Sequence, residues 1–305
     1  MKYIVLCSLL LSGAILLQNC TDTPPKTVAA EASAQVQPVV QLDPGFNSYW
    51  FNGTAELTSY EVEQDRYGEL RKAEQVCIFV TEDFSKEMHV KLDAPQDAGA
   101  DRIPVLKLNW IRRFNTGVYD YSVMQSVFKP LDGTQALKTT TTIQDWCGHV
   151  FQQYNRTESG YKICSRSYFE SEGDQEMILN NCWLEDELWV MLRLNPDAIP
   201  TGRINLVPSA IYHRFRHVEE NAEKAEIQMT KGASESSLTV RYSNIPRTLT
   251  IRFESAFPHR ILGWEELHNN AIMSKGVKKA TWTGAYWAKN GNNFAFLRDS
   301  LMLKN

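Results

Sequence analysis

Apolar and polar side chains alternate along this chain in run after run, and few folds accept that pattern. In residues 237–243 (SLTVRYS), Leu238, Val240 and Tyr242 point one way while Thr239, Arg241 and Ser243 point the other. In residues 247–255 (RTLTIRFES), Leu249, Ile251 and Phe253 oppose Thr248, Thr250, Arg252 and Glu254. A period of two belongs to a strand that buries one face and wets the other. Asn244-Ile245-Pro246 joins these two strands as a hairpin turn. Similar runs occupy residues 53–64, 75–81, 103–114, 117–128, 134–143, 148–155, 160–170, 174–183, 225–231, 277–287 and 293–301, rich in β-branched and aromatic residues. The expected fold is therefore mainly β: a large antiparallel, curved sheet or an open, partial barrel, with one or two short helices.

One helix interrupts the alternation. In residues 184–194, Leu184, Leu188, Met191 and Leu192 share a side at helical spacing, and Pro196 stops the run. Glu185, Asp186 and Glu187 fill its first turn and Arg193 sits near its end, as the helix dipole prefers. The acidic trio reads as a charged helix start rather than as paired catalytic carboxylates. His213 and His217 have the i,i+4 spacing of a helical metal pair, but Ile211, His213, Phe215 and His217 also alternate. The segment 208–220 fits either a helix or a strand, and no metal site is expected. His89, His259 and His268 stand alone in the sequence.

The amino terminus fixes the compartment. Lys2 precedes a mostly apolar stretch, residues 4–17, and Leu17-Gln18-Asn19-Cys20 follows at once. Fourteen residues of helix rise about 21 Å, short of the roughly 30 Å hydrocarbon core, so this is an export signal and not a stable span. The cysteine closing the run resembles a bacterial lipoprotein cleavage site, with residues 1–19 as signal peptide and Cys20 as the lipidated residue, its acyl chains of the palmitate type. Residues 20–44, rich in Pro, Ala, Thr and Gln, read as a flexible tether, and residues 45–305 as a single large β domain or two packed β subdomains. The implied location is the cell envelope, lipid-anchored on the extracytoplasmic side, with the outer membrane as the expected membrane and as partner through the amino-terminal lipid. With 32 Lys and Arg against 36 Asp and Glu, nothing draws the chain to a phosphate backbone, and no nucleic-acid partner is expected.

Export also governs the cysteines. Cys7 leaves with the signal and Cys20 is the anchor, leaving Cys77, Cys147, Cys164 and Cys182. If residues 171–174 form a turn, Cys164 and Cys182 are equidistant from Gly173 and become candidates for a disulfide, two core thiols being the other reading. Cys147 and His149 share a strand face and are the candidates for a catalytic thiol and base. Phosphate-loop, GxGxxG, GxSxG and EF-hand motifs are all missing from the sequence, and no cofactor is expected. The eight Trp, twelve Tyr and thirteen Phe residues supply candidates for an apolar or sugar-stacking site, Tyr119 and Trp287 lying beside the alternating strands.

Several stretches then look like one family: residues 59–70 (SYEVEQDRYGEL), 78–84 (IFVTEDF), 90–93 (VKLD), 114–122 (FNTGVYDYS), 145–149 (DWCGH), 168–175 (YFESEGDQ) and 185–189 (EDELW). They resemble an uncharacterised family of bacterial envelope lipoproteins, sometimes labelled septum formation inhibitor Maf. That name belongs to cytoplasmic nucleotide pyrophosphatases, which open with a Ser/Thr-rich segment ending in paired arginines on an α/β fold, and this chain has no such opening. The pattern is also loosely similar to periplasmic half-barrels that carry lipoproteins or lipids. The expected function is a membrane-tethered lipoprotein with a non-catalytic binding or structural role toward an apolar ligand, a lipid or an envelope protein. The alternative is an envelope hydrolase or transferase built on Cys147 and His149 or on a histidine and carboxylate pair.

Overall fold

The computed structural model describes residues 26–28 and 40–303. The signal peptide 1–19, Cys20 and most of the tether lie outside the described residues. After β1 (Lys26–Val28), the strands β2 (Ala55–Arg66), β3 (Glu69–Ser85), β4 (Arg102–Thr116), β5 (Tyr119–Pro130), β6 (Lys138–Gln144), β7 (His149–Arg156), β8 (Gly160–Ser167) and β9 (Asp174–Asn180) form one up-and-down meander. A second runs through β10 (Trp183–Leu184), β11 (Gly202–Val207), β12 (Glu223–Thr230), β13 (Glu235–Tyr242), β14 (Arg247–Glu254), β15 (Ile261–His268) and β16 (Ala271–Gly284). Antiparallel pairing of β16 with β2 fuses the two into a single sheet. Among the described residues only the marginal pairs, β1 with β9 and β10 with β11, are parallel.

Chain connectivity forces the sheet to curl. β9 and β10 stand near opposite ends of the hydrogen-bonded order, yet Asn180 and Trp183 are three residues apart, at most about 11 Å of chain. Both margins therefore meet around an enclosed interior, though no ladder joins β9 to β10 among the described residues. Alternation predicts the lining: Tyr60, Val62, Cys77, Phe79, Leu108, Val123, Val127, Leu238, Val240, Leu249 and Ile251 all face one core. The helices α1 (Phe46–Trp50), α2 (Glu185–Leu194) and α3 (Ala210–Arg216) fill that interior. α4 (Leu297–Ser300) lies outside, where Leu301 and Leu303 cover Ala55, Leu57 and Val80 of the β2–β3 wall.

Glu185 at the start of α2 meets Arg247 at the start of β14, whereas Arg193 near its end meets Glu56 at the start of β2. β2 and β14 begin at opposite rims, so α2 traverses the interior lengthwise. One rim carries the β2–β3, β4–β5, β6–β7 and β8–β9 turns together with α3; the other carries α1 and the β3–β4 connection.

Some sequence expectations change here. Residues 210–216 form α3, which decides between the helix and strand left open for this segment. Ser209 caps it, its hydroxyl accepting the Ile211 N–H at 3.3 Å, and His217 ends it with a left-handed φ of 53°. Residues 210–215 are buried all round, so their alternation never marked a two-faced strand. Residues 293–301 form turns and α4 instead of a strand. No regular period of two marks β15, because the register shift at Arg252/Phe253 inserts Leu262 into it; the shift at Glu266/Leu267 inserts Met273 into β16. Val40 and Leu42 already pack against the core, ahead of Gly45.

The proposed disulfide fails on register. The β8–β9 hairpin pairs Cys164 with Glu176, because the fold-back is centred near residue 170 and not at Gly173. Cys182 has by then left β9 and is buried beside the Leu179 carbonyl, and both thiols are free.

Candidate functional site

Helix α2 is the chemical centre of the interior, and the solvated charged start expected for it is not what forms. All its residues but Trp189 are buried, including the four charged ones Glu185, Asp186, Glu187 and Arg193. A buried ion persists only if partners replace its water, and each wall supplies them. Arg247 grips both oxygens of Glu185, with Nη2 at 2.7 Å from Oε1, while the Tyr242 hydroxyl donates to Oε2. Lys129 Nζ lies 2.8 Å from Glu187 Oε2, which also accepts the Ala136 N–H at 2.8 Å; Oε1 accepts the Leu184 N–H at 3.2 Å. Arg193 holds Glu56 through two bonds of 2.7 and 2.8 Å and donates from Nε to the Pro258 carbonyl. Its guanidinium packs on the rings of Trp50 and Phe79, at 5.0 and 4.6 Å.

Asp186 is the exception. It accepts the Ala210 N–H at 3.2 Å but has no bonded cation. Burial, with Glu185 alongside, pushes its carboxyl up to about 7 against the opposing pull of Ser209, Ala210 and Arg247. Asp186 borders a small cavity with Gln75, Arg112, Gln125, Trp189 and Glu266. Arg112 donates to the side-chain oxygens of Gln75, at 2.8 Å, and Gln64, and lies against the rings of Trp110 and Trp264. Burial draws its guanidinium down to about 10. The cavity volume is about 30 Å³, room for one or two waters and not for a lipid tail.

The turn-bearing rim gathers most of the residues singled out in the sequence, without assembling a nucleophile. Cys147 is not on a strand with His149: residues 145–148 form the β6–β7 turn, where Asp145 Oδ1 accepts the Cys147 and Gly148 N–H groups. The thiol and the imidazole are both exposed, and the pairing that alternation implied is lost. His213 is buried on α3, its Nδ1–H donating to the Glu219 carbonyl at 2.9 Å, and burial draws it down to about 4. His217 forms a close pair with Glu172, Nδ1 to Oε1 at 2.7 Å. The nearby hydroxyl, Ser167, bonds Glu172 and not the imidazole, so the order needed to activate a nucleophile through a base is not met. Among the described residues no group of three or more His, Cys, Asp or Glu could hold a metal ion.

Tyr119 belongs to the same rim, 5.9 Å from Tyr121 and 6.4 Å from Trp146 between ring centres. Trp287 does not: it follows β16 at the opposite rim and stacks edge-on against Tyr286. Trp146, within DWCGH, carries no signal of its place in the sequence, because alternation is silent about turns.

On the outside a cleft of about 860 Å³ crosses β2–β6, bordered by Lys279 of β16 and Arg298 of α4 and reaching the aromatic rim at Tyr121 and Trp146. Lys72, Arg113 and Lys279 line it together with Glu61, Glu74 and Asp120, a mixed-charge surface suited to a polar partner. Among the described residues no helix is long and apolar enough to cross a membrane.

No protein-family model matches the chain, and no curated protein matches it. Among solved structures it is similar to a β-barrel-like protein of a domain of unknown function, DUF1849, from Brucella abortus, with a TM-score of 0.47 and 7% identity over 75% of this chain and 97% of that one.

Proposed function

We propose that this chain is a membrane-tethered, extracytoplasmic lipoprotein with a non-catalytic binding or structural role, exercised through its outer surface. The occupied interior is the observation that carries this reading. α2 fills the axis, its Glu185, Glu187 and Arg193 are committed to the walls, and the cavity that Asp186 borders admits water only. That arrangement gives a rigid body and leaves an apolar ligand no place along α2. The external cleft, with its alternating charges, is the surface offered to an envelope protein. The hydrolase or transferase alternative needs a nucleophile on His217, and Ser167 is bonded to the carboxylate instead.

Mass spectrometry of the chain extracted from membranes tests the tether: the first residue should be Cys20 carrying acyl chains, and an unacylated start elsewhere would overturn it. For the binding role, a photo-crosslinking residue replacing Lys72 in the cleft should capture a specific envelope partner, and one replacing Arg241 on the far wall should not. Equal capture at both positions, or an apolar molecule retained one to one through purification, would contradict the assignment.

A further inference from the structure

The turns of one rim expose an uncommon amount of ring surface. Trp146 is 68% exposed, Tyr67 59%, Tyr168 53% and Val118 79%, and each sits at the tip of a different hairpin. They form a connected band. Tyr67 and Tyr121 share a hydroxyl hydrogen bond of 2.8 Å, Tyr119 bridges Tyr121 to Trp146, and Tyr168 covers Gly148 so closely that a Cβ there would lie 2.4 Å from its ring. Tyr168 then packs on Phe169, 4.2 Å between ring centres. Side chains with an apolar body and a polar edge collected at one end of a barrel suit the boundary between lipid headgroups and acyl chains.

The course of the chain points to the same end. β1 runs parallel to β9, with Lys26 opposite Met177 and Val28 opposite Leu179. β9 descends from the β8–β9 turn at the aromatic rim, so β1 begins at its rim-facing end, Lys26 lying nearer that rim than Val28. From Cys20 to Lys26 is six residues, at most about 21 Å even when fully extended. We propose that the aromatic band formed by Tyr67, Tyr119, Trp146 and Tyr168 seats on the bilayer surface beside the acylated Cys20. This rests on the lipid-anchor reading above. The short lead would hold the rim near the headgroups, and ring insertion would add a second attachment to that of the acyl chains. Asp120, Asp145 and Glu170 in or beside these turns give no attraction to anionic lipid, so the contact is interfacial rather than electrostatic.

Trp146 and Trp287, exposed at opposite rims, make the test internal. The full acylated chain is reconstituted into phosphatidylcholine vesicles with brominated acyl chains, and tryptophan quenching is measured for the parent, Trp146→Phe and Trp287→Phe. Quenching should fall by at least about half in Trp146→Phe and remain in Trp287→Phe, because only a ring within the interface meets the bromines. Unchanged near-ultraviolet and far-ultraviolet circular dichroism would show that both variants fold. If the chain floats with vesicles but shows no quenching, or quenching that survives Trp146→Phe, the rim is not seated while the anchor stands. If the chain does not float and its amino terminus is unacylated, the anchor reading itself fails. Protection of Trp146 from aqueous iodide by peptidoglycan, and not by vesicles, would assign the rim to sugar and overturn the bilayer proposal.

Discussion

The ion pair between Lys129 of β5 and Glu187 of α2 tests whether the helix is held by its charges. Both side chains are fully buried and meet at 2.8 Å. At an effective dielectric of about 20 the gross attraction is about 6 kcal/mol, against a desolvation cost of several kcal/mol for each ion. The net worth of the pair is therefore small, but half of it is costly. In Lys129→Met, Glu187 keeps the Ala136 and Leu184 N–H groups yet loses its only bonded cation. That change should destabilise the chain by about 3–5 kcal/mol. Glu187→Gln should cost a similar amount, since it strands the ammonium against neutral groups. The double variant should cost clearly less than the sum, with a coupling of at least about 2 kcal/mol. Urea unfolding followed by tryptophan fluorescence measures all four chains of the cycle. Strict additivity, or a loss below about 1 kcal/mol for Lys129→Met, would refute the view that α2 is anchored electrostatically.

Asp186 should make stability depend on pH. Its folded carboxyl is raised to about 7, so between pH ~4 and ~7 the native chain binds the extra proton. The associated stability is complete below the unfolded value and is lost as pH rises through 7. Asp186→Asn should remove that slope and be more stable than the parent at pH 8 by up to about 4 kcal/mol; parallel melting profiles from pH 4 to 8 would disprove it. The register of β8 and β9 predicts free thiols at Cys77, Cys147, Cys164 and Cys182. Alkylation without reductant should tag all of them, Cys147 first and Cys77 and Cys182 last, since burial lifts those two thiols to about 12. Recovery of a linked Cys164 and Cys182 peptide would overturn the register.

Alternation is a local property, and it was enough to find most strands. The 237–243 and 247–255 hairpin forms as read, with Leu238 opposite Ile251 and Val240 opposite Leu249. Likewise the Leu184, Leu188, Met191 and Leu192 spacing with Pro196 located α2. α3 carried its signal in Ser209, a capping residue, while the alternation of 211–217 left a strand equally open. Candidate residues were half legible: Tyr119 lies on the rim, whereas Cys147 and His149 are separated by a turn that no period describes.

Sequence alone therefore determined the sheet-built class of the body and the place of its central helix, because both follow from which neighbours share a face. The tertiary structure decided where that helix goes and what its charges do. Glu187 finds Lys129, Glu185 finds Arg247 and Arg193 finds Glu56 across separations of 58, 62 and 137 residues. A periodicity within one element cannot encode such pairings, for the same acidic turn is solvated on a surface and ion-paired in a closed interior. Only the curl of the sheet, bringing both its margins together around α2, takes away the water and makes those partners necessary.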